Sequence, residues 1–303
     1  SALIGMGGAP RASIKMGQGD YDGAEETLGN CFIVLVGISV VLTAVLLIWN
    51  RPLLLAFGAS VNTIGYATEY MNIYAIGTLF VQITLGMNMF IIAQGFAKTG
   101  MLSVLIGAVT NIVLDPVFIF GLDMGVSGAA LATILSQGVS AVLVLVSLTR
   151  AETVYRLDWK QVRFHGRLLG DILRVGVPAG LQSNMYAISN ILIQTAINGF
   201  GTATVAAWTA HGKVDGFFWM ILGAYGISIT TFAGQNYGAR QPDRIRKIIR
   251  TGLGMHLGFS TLFSLTLFLT RYLTVRCFTD DPAVIAEGVT IICMLAFFYP
   301  VFC

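Results

Sequence analysis

Long apolar segments, separated by short polar loops, recur along the whole chain. A helix needs about 20 residues to cross the hydrocarbon of a bilayer, and we identify nine apolar segments of roughly that length. One ends near residue 10, and the others lie at roughly 29–49, 68–93, 101–121, 126–149, 173–198, 203–233, 251–271 and 284–303. These runs lack the alternation of membrane β-strands, and open strands leave backbone groups unpaired in lipid. The pattern therefore predicts an all-α, polytopic membrane helical bundle.

The composition agrees with lipid as the main solvent. Of 303 residues, 55% are hydrophobic and 11% are charged, whereas a soluble domain carries about 25% charged residues. The net charge of +3 gives no reason to expect a nucleic-acid partner. The sequence contains no GxSxG, HExxH or GxxxxGK[ST] motif, and its three histidines are scattered. We therefore predict neither an enzyme nor a bound cofactor.

The basic residues indicate an orientation in the membrane. Four loops on one side of the predicted bundle are rich in Lys and Arg: 11–28, 94–100, 150–172 and 234–250. These loops and their flanks hold 14 of the 18 basic residues, and only Lys213 falls inside a span. Basic loops face the cytoplasm in multi-pass proteins. We therefore expect a multi-pass protein of the cell (inner) membrane, with these four loops on the cytoplasmic side.

The loop 150–172 is the longest and most charged, and it divides the chain into segments 1–149 and 173–303. Its spacing of basic and apolar residues suits a helix at the membrane surface, and a plain solvated linker is the alternative. An offset of 221 residues aligns two basic loops and two Phe-containing turns of the two segments. A shift that spans an even number of helices leaves both segments in the same orientation across the membrane. It therefore predicts two parallel, pseudo-symmetric repeats, as in many transporters.

One carboxylate interrupts an apolar segment, in the stretch GAVTNIVLDPVFIFGL at 107–122. Asn111 lies four residues before Asp115, on the same helix face, and Pro116 removes a backbone hydrogen bond and should kink the helix. Amide, carbonyl and carboxylate oxygens suit Na⁺ or another hard cation, and the carboxylate also suits a proton. An acid in a membrane span is functional by default. Alternatively, Asp115 lies near the outer surface and only caps the helix.

Further polar side chains lie on other spans. Four of them recur every fourth residue on one face of 173–198, where they line a substrate cavity or hold neighbouring helices together. Two more lie on 68–93, beside methionines that adapt to varied ligands. The candidate cavity residues are Gln82, Asn88, Gln182, Tyr186, Asn190 and Gln194.

His211 and Asp215 also share a helix face, in the predicted span 203–233. A histidine and a carboxylate one turn apart can pass a proton between them, so the pair is a candidate proton relay. A structural ion pair, or a bend close to water, is the alternative interpretation.

Five segments together resemble the multidrug and toxic compound extrusion (MATE) family of cation-coupled antiporters. They are GMGGAPRASIKMGQGD, FIIAQGFAKTGM, TNIVLDPVFIFGLDMGVSGAALATILSQ, GVPAGLQSNMYAISNILIQTAINGFGT and TTFAGQNYGARQPDRI. The resemblance implies twelve helices in two lobes of six. On that frame the chain is truncated at both ends: 1–149 holds helices 2–6 of the N-terminal lobe, 150–172 is a cytoplasmic inter-lobe linker, and 173–303 holds helices 7–10 of the C-terminal lobe.

The resemblance also implies roles for single residues. One branch of the family binds sodium or a proton in its N-terminal lobe, and Asn111 and Asp115 match its fifth-helix pair. Thr133, in the motif GAALAT, matches its sixth-helix ligand. Another branch uses a glutamate on the seventh helix, and Tyr186 occupies that position here. Coupling is therefore expected in the N-terminal lobe.

The function implied is secondary antiport. A monomer exports amphipathic, often cationic, organic compounds in exchange for H⁺ or Na⁺, with no cofactor besides the coupling ion. A flippase for lipid-linked saccharides is an alternative, although such a protein needs a basic cavity and only Lys213 lies inside a span. An intramembrane enzyme is a third possibility, and it would require Asp115 and Asp215 to pair.

Overall fold

The computed structural model describes residues 1–57, 60, 62–150 and 155–302. Within these ranges the chain is helical, which confirms the predicted all-α class. The α-helices, in chain order, are α1 Ala2–Gly17, α2 Tyr21–Ile48, α3 Asn50–Ala56, α4 Ile64–Ile76, α5 Thr78–Ala93, α6 Ala97–Pro116, α7 Gly125–Thr149, α8 Gly166–Asn198, α9 Thr202–Gly238, α10 Pro242–Leu269, α11 Arg271–Arg276 and α12 Pro282–Leu295. Residues 151–154 of the predicted linker and residue 303 of the last predicted span lie outside the described residues.

Each predicted span corresponds to helical structure, but fewer helices than nine can cross a membrane alone. Six helices of the described residues are long and apolar enough, and the bent pair α4–α5 adds a seventh. The α1 helix has only 16 residues, which is short for a crossing. The α8 helix has 33 residues, but its recurrent polar side chains lower its hydropathy.

The predicted span 68–93 is a bent pair of helices. The α4 and α5 axes differ by 55° across Gly77, and α4 packs against α7. A Cβ atom on Gly77 would lie 2.5 Å from the Cγ1 atom of Ile134. The absence of a side chain therefore permits close contact at the bend, as small residues do in membrane helix packing.

The chain separates into two compact units. Unit 1 comprises Ser1–Gly180 with Gly238–Arg240, and unit 2 comprises Leu181–Tyr237 with Gln241–Cys303. The predicted lobe boundaries remain a prediction, since α8 begins inside the predicted linker and continues through the boundary between the units.

In unit 1, α1, α2, α5 and α7 pack around one apolar core. Leu28, Leu35 and Phe90 are fully buried there. Asp20 begins α2 by accepting a hydrogen bond from the Gly23 backbone N–H at 2.9 Å, which satisfies one of the unpaired donors of the first turn. The Lys15 ammonium, 2.6 Å away, holds the pKa of the Asp20 carboxyl below its usual range.

The core of unit 2 is mainly aromatic. Phe218 is fully buried and packs edge-on against Tyr299, with ring centroids 4.4 Å apart. Phe259 and Phe263 stack around the same ring. Aromatic pairs of this kind add roughly 0.5–1.5 kcal/mol beyond area burial, so they hold α9, α10 and the C-terminal 3₁₀ helix Ala296–Phe302 together.

The described part of the linker differs from both sequence-based alternatives. Residues 155–165, which we call the strap, form no helix and lie against unit 1. Tyr155 and Leu157 are buried in the core, and burial raises the pKa of the Tyr155 hydroxyl. The Asn30 side chain pairs with both backbone groups of His165 at 3.2 Å. The strap is thus neither a surface helix nor a solvated linker, because Tyr155 and Leu157 enter the core, although Trp159 and Phe164 stay exposed.

We expect Asn30→Ala to destabilise the full-length protein by about 1–3 kcal/mol. The substitution leaves the N–H of His165 without its partner, while the His165 carbonyl keeps only its bond from the Leu169 N–H. A polar group left unpaired costs about that much. Trypsin should then cut the strap faster at Arg156, Lys160 and Arg163. Asn198→Ala is the control, since Asn198 accepts only an exposed bond from Gln194. Equal digestion rates for both variants would show that this clamp does not hold the strap.

Candidate functional site

The candidate coupling site lies on α6, a helix whose side chains are largely exposed and apolar. This helix ends at Pro116, and a π-helical turn at Val117–Gly121 follows. Proline cannot donate the next helical hydrogen bond, and widened π turns relieve such breaks and often lie at functional sites. The regular α-helical hydrogen bonding therefore ends directly after Asp115. The predicted kink itself remains a prediction.

Asn111 and Asp115 are in contact, as their spacing predicts. The Asn111 Nδ2 donates a hydrogen bond to the Asp115 Oδ1 over 3.3 Å, and both side chains are half-buried. The amide thus turns its nitrogen, not its oxygen, toward the carboxylate. A half-turn of the amide would present its oxygen, the atom that can bind a cation, on the same side.

Thr133 lies on α7, which packs along α6. Its hydroxyl donates to the Ala129 carbonyl of its own helix at 2.9 Å. A hydroxyl oxygen that donates one bond still has lone pairs with which to accept a bond or bind a cation. The structure therefore brings Asn111 and Asp115 together and leaves Thr133 bonded within the neighbouring helix.

Small residues set the register of α6 against α7. The Ser140 Oγ donates to the Ser103 carbonyl at 3.1 Å, and a Cβ on Gly128 would lie 2.8 Å from the Phe118 carbonyl. The helices are therefore antiparallel, and Thr133 is level with Asn111 between these two contacts. Small residues at four-residue spacing mark close helix packing in membranes, so this seam was detectable in the sequence although we did not predict it.

Carboxylates, thiols and imidazoles do not form a metal site in the described part of the chain, where no group of three such side chains could hold an ion.

The two cavity candidates on α5, buried Gln82 and half-buried Asn88, face different directions. Gln82 is 9% exposed, and its Oε1 has no hydrogen-bond partner within the described ranges; the same holds for the Oδ1 of Asn88. Gly100 adjoins Asn88. The six-residue separation places the two amides on different faces of α5, so they do not form one site.

The polar stripe on α8 is more open. Gln182, Tyr186 and Asn190 are exposed, and Gln194 is half-buried. Gln194 bonds to Asn198 one turn later at 3.0 Å. The Tyr186 ring lies 6.0 Å from that of Trp219. The predicted stripe therefore exists on one helix, with an aromatic neighbour from α9.

His211 and Asp215 have different neighbours. His211 is 5% exposed and packs on the Trp208 ring, and its Nδ1 has no hydrogen-bond partner in the described residues. The Asp215 carboxylate instead accepts bonds from the Tyr299 hydroxyl and the Trp219 indole N–H, both at 3.0 Å. Tyr299 lies 84 residues away in the chain, so sequence spacing gave no signal of its role.

Comparison with known proteins places this geometry in a family. The MatE family model matches residues 1–117 and 178–303. The chain belongs to the MATE family. The two matched segments lie on either side of the loop 150–172, and the 221-residue offset remains a prediction. MATE proteins are transporters, so the prediction that this chain is no enzyme is confirmed, and the chain is a multi-pass membrane protein.

Similar proteins include the probable multidrug resistance protein YpnP of Bacillus subtilis, 27% identical over 99% of this chain and 67% of YpnP. The multidrug export protein MepA of Staphylococcus aureus is 23% identical over 93% of this chain and 62% of MepA. A crystal structure of MATE in the bent conformation superposes with a TM-score of 0.90 at 24% identity, over 99% of this chain and 67% of that one. The chain thus spans only about two thirds of the length of these MATE proteins, and the structural likeness shows a shared fold.

Proposed function

We propose that the full-length protein is a secondary antiporter that exports amphipathic, cationic organic compounds in exchange for H⁺ or Na⁺. The observation that carries this proposal is the contact between Asn111 and Asp115, one residue before Pro116 in an apolar helix. The proposal includes a monomer in the cell (inner) membrane, with the loops 11–28, 94–100, 150–172 and 234–250 in the cytoplasm.

Coupling would follow from the charge of one carboxylate. A charged acid within a membrane costs at least a few kcal/mol, and a proton or sodium ion at Asp115 removes that cost. Sodium would be held by the Asp115 carboxylate, the rotated amide of Asn111 and the hydroxyl of Thr133. The coupling ion can drive transport only by binding one conformation better than the other.

The break after Asp115 offers a place for the conformational change. The π turn at Val117–Gly121 adjoins the carboxylate, and π turns can revert to α-helical geometry by shifting hydrogen bonds by one residue. A change of charge at Asp115 would then change the direction of the segment beyond Pro116. Alternating access of the substrate cavity, with Gln82, Asn88 and the α8 stripe as candidate wall residues, is the proposed consequence.

His211 and Asp215 are proposed as a secondary proton pathway in unit 2. Supporting it are a buried imidazole with an unpaired nitrogen and a carboxylate one helical turn later. Tyr299 and Trp219 each donate to a different oxygen of Asp215, so each oxygen keeps a second lone pair that could take up a proton. The flippase alternative is not favoured, since Lys213, the only basic residue in the interior of a predicted span, is exposed.

Reconstitution of the full-length protein into lipid vesicles tests the proposal. A fluorescent organic cation should leave the vesicles only when a pH or sodium gradient is imposed, and the ionophore that dissipates the effective gradient should stop the flux. Flux that ignores both gradients would exclude antiport with these ions.

A further inference from the structure

Unit 2 contains a groove that the proposed transport cycle does not use. It lies between α9 and α10 and encloses about 670 Å³. Its floor is apolar, with Ile229, Phe232, Ile248 and Met255, and polar side chains at Ser228 and Thr251 lie along its wall. Two cations, Arg244 and Lys247, and the polar side chain of Asn236 also line it. The groove is therefore amphipathic, with a positive end and an apolar end.

The positive end has no internal counter-charge. Among the described residues, neither Arg244 nor Lys247 forms an ion pair, and the single acid on this part of α10, Asp243, lies 3.7 Å from Arg246 instead. Arg244 and Lys247 also lie in the first turns of α10, where the helix dipole disfavours cations. An external anion would relieve both effects.

The groove crosses the predicted edge of the membrane. Arg244 and Lys247 belong to the predicted basic loop 234–250, whereas Met255 and Ile229 belong to the predicted spans on either side. An occupant that reaches both ends must therefore place its charge at headgroup level and its apolar part in the hydrocarbon. Basic residues at this depth attract anionic lipids.

The corresponding surface of unit 1 carries the opposite charge. With the offset of 221 residues, Lys247 matches Glu26 of α2. Glu26 lies 3.4 Å from His165 of the strap, and the neighbouring Glu25 accepts a bond from the Arg156 backbone at 3.0 Å. In unit 1 these two carboxylates thus face the strap, through the His165 imidazole and the Arg156 backbone. Lys247 carries the charge opposite to that of Glu26, which suits an anionic occupant of the unit 2 groove.

We propose that this groove binds an anionic phospholipid, with its phosphate on Arg244 and Lys247 and an acyl chain along the floor of Ile229, Phe232 and Met255. The hydroxyls of Ser228 and Thr251 would face the glycerol and ester oxygens between them. This site requires no coupling ion, so it stands or falls independently of the proposed antiport.

Native mass spectrometry of the detergent-solubilised full-length protein tests the site. Dioleoyl phosphatidylglycerol and dioleoyl phosphatidylcholine are titrated onto the wild type and onto the double variant Arg244→Gln/Lys247→Gln. We expect the wild type to prefer phosphatidylglycerol and the variant to bind it about 30-fold more weakly. Each juxtamembrane basic residue contributes about 1 kcal/mol, and about 1.4 kcal/mol corresponds to a factor of ten.

A matched control removes the same charge from the same helix. Arg246→Gln/Arg250→Gln leaves the groove lining intact, because neither residue lines it, and it should keep the affinity for phosphatidylglycerol within about threefold, the scale of a distant screened charge. If both double variants bound phosphatidylglycerol equally weakly, the effect would be a general electrostatic attraction, and the proposed site would be overturned. The proposed site would also be overturned if the wild type bound no phosphatidylglycerol, for example because another segment of the chain fills the groove. Displacement of the lipid by glycerol phosphate alone would indicate a free-anion site and contradict the proposal.

Discussion

Asp115→Asn in the full-length protein is expected to abolish ion-driven export of organic cations. Asparagine has nearly the shape of aspartate but no charge, so helix α6 keeps its packing while the group that would take up H⁺ or Na⁺ is lost. The half-buried carboxylate accepts a hydrogen bond from the Asn111 side chain. The loss of a membrane cation site that is worth a few kcal/mol should lower the rate at least about tenfold.

Dye efflux from vesicles with an imposed gradient measures this effect, and Asp123→Asn is the matched control. Asp123 carries the same carboxylate in the same segment but is exposed, with a φ of 52° that asparagine also adopts readily. The control should transport at the wild-type rate. If Asp115→Asn also retains ion-driven efflux at that rate, coupling does not depend on this carboxylate.

Gly107→Leu is expected to destabilise the α6–α7 pair by about 3 kcal/mol, the upper part of the usual range for overpacking. A Cβ at Gly107 would overlap the Ser140 hydroxyl and lie 3.0 Å from the Ser136 backbone oxygen. The Ser140 side chain would have to leave its bond to Ser103. The Ser136 oxygen belongs to the backbone of α7, so the helices themselves would have to separate.

Thermal unfolding in detergent, followed by intrinsic fluorescence, measures this destabilisation, and Gly37→Leu is its control. Gly37 lies in the middle of α2 with open space around its missing side chain. A leucine there should leave the melting temperature unchanged or raise it slightly, because leucine is a better helix former. Similar melting temperatures for both variants would mean that α6 and α7 do not pack at the observed distance.

The helices and the central pair of the site follow from local sequence rules. Apolar length predicts the position of α7 to within one residue of the observed bounds Gly125–Thr149. Four-residue spacing alone predicts the contact between Asn111 and Asp115, because helix geometry dictates it. The spacing does not predict whether the nitrogen or the oxygen of the Asn111 amide faces the carboxylate, since both atoms can reach the Asp115 side chain.

Contacts between residues distant in the chain were not predictable in this way. The strap looked like a surface segment because its charges are conspicuous, but Tyr155 bonds through its backbone to Gln94 at 2.9 Å and enters the core. Likewise, Asp215 was paired in sequence with His211, whereas the fold supplies Tyr299. Such partners depend on how helices pack, which periodicity within one helix does not encode.

The state of the Asp115 carboxyl group can be observed directly in the full-length protein by infrared difference spectroscopy between high and low pH, with and without sodium. We expect a carboxyl signal that changes with proton or sodium binding in the wild type and in Asp123→Asn, and that is missing in Asp115→Asn. An identical difference spectrum in the Asp115→Asn protein would show that this side chain binds neither ion, and would contradict the coupling proposed for α6.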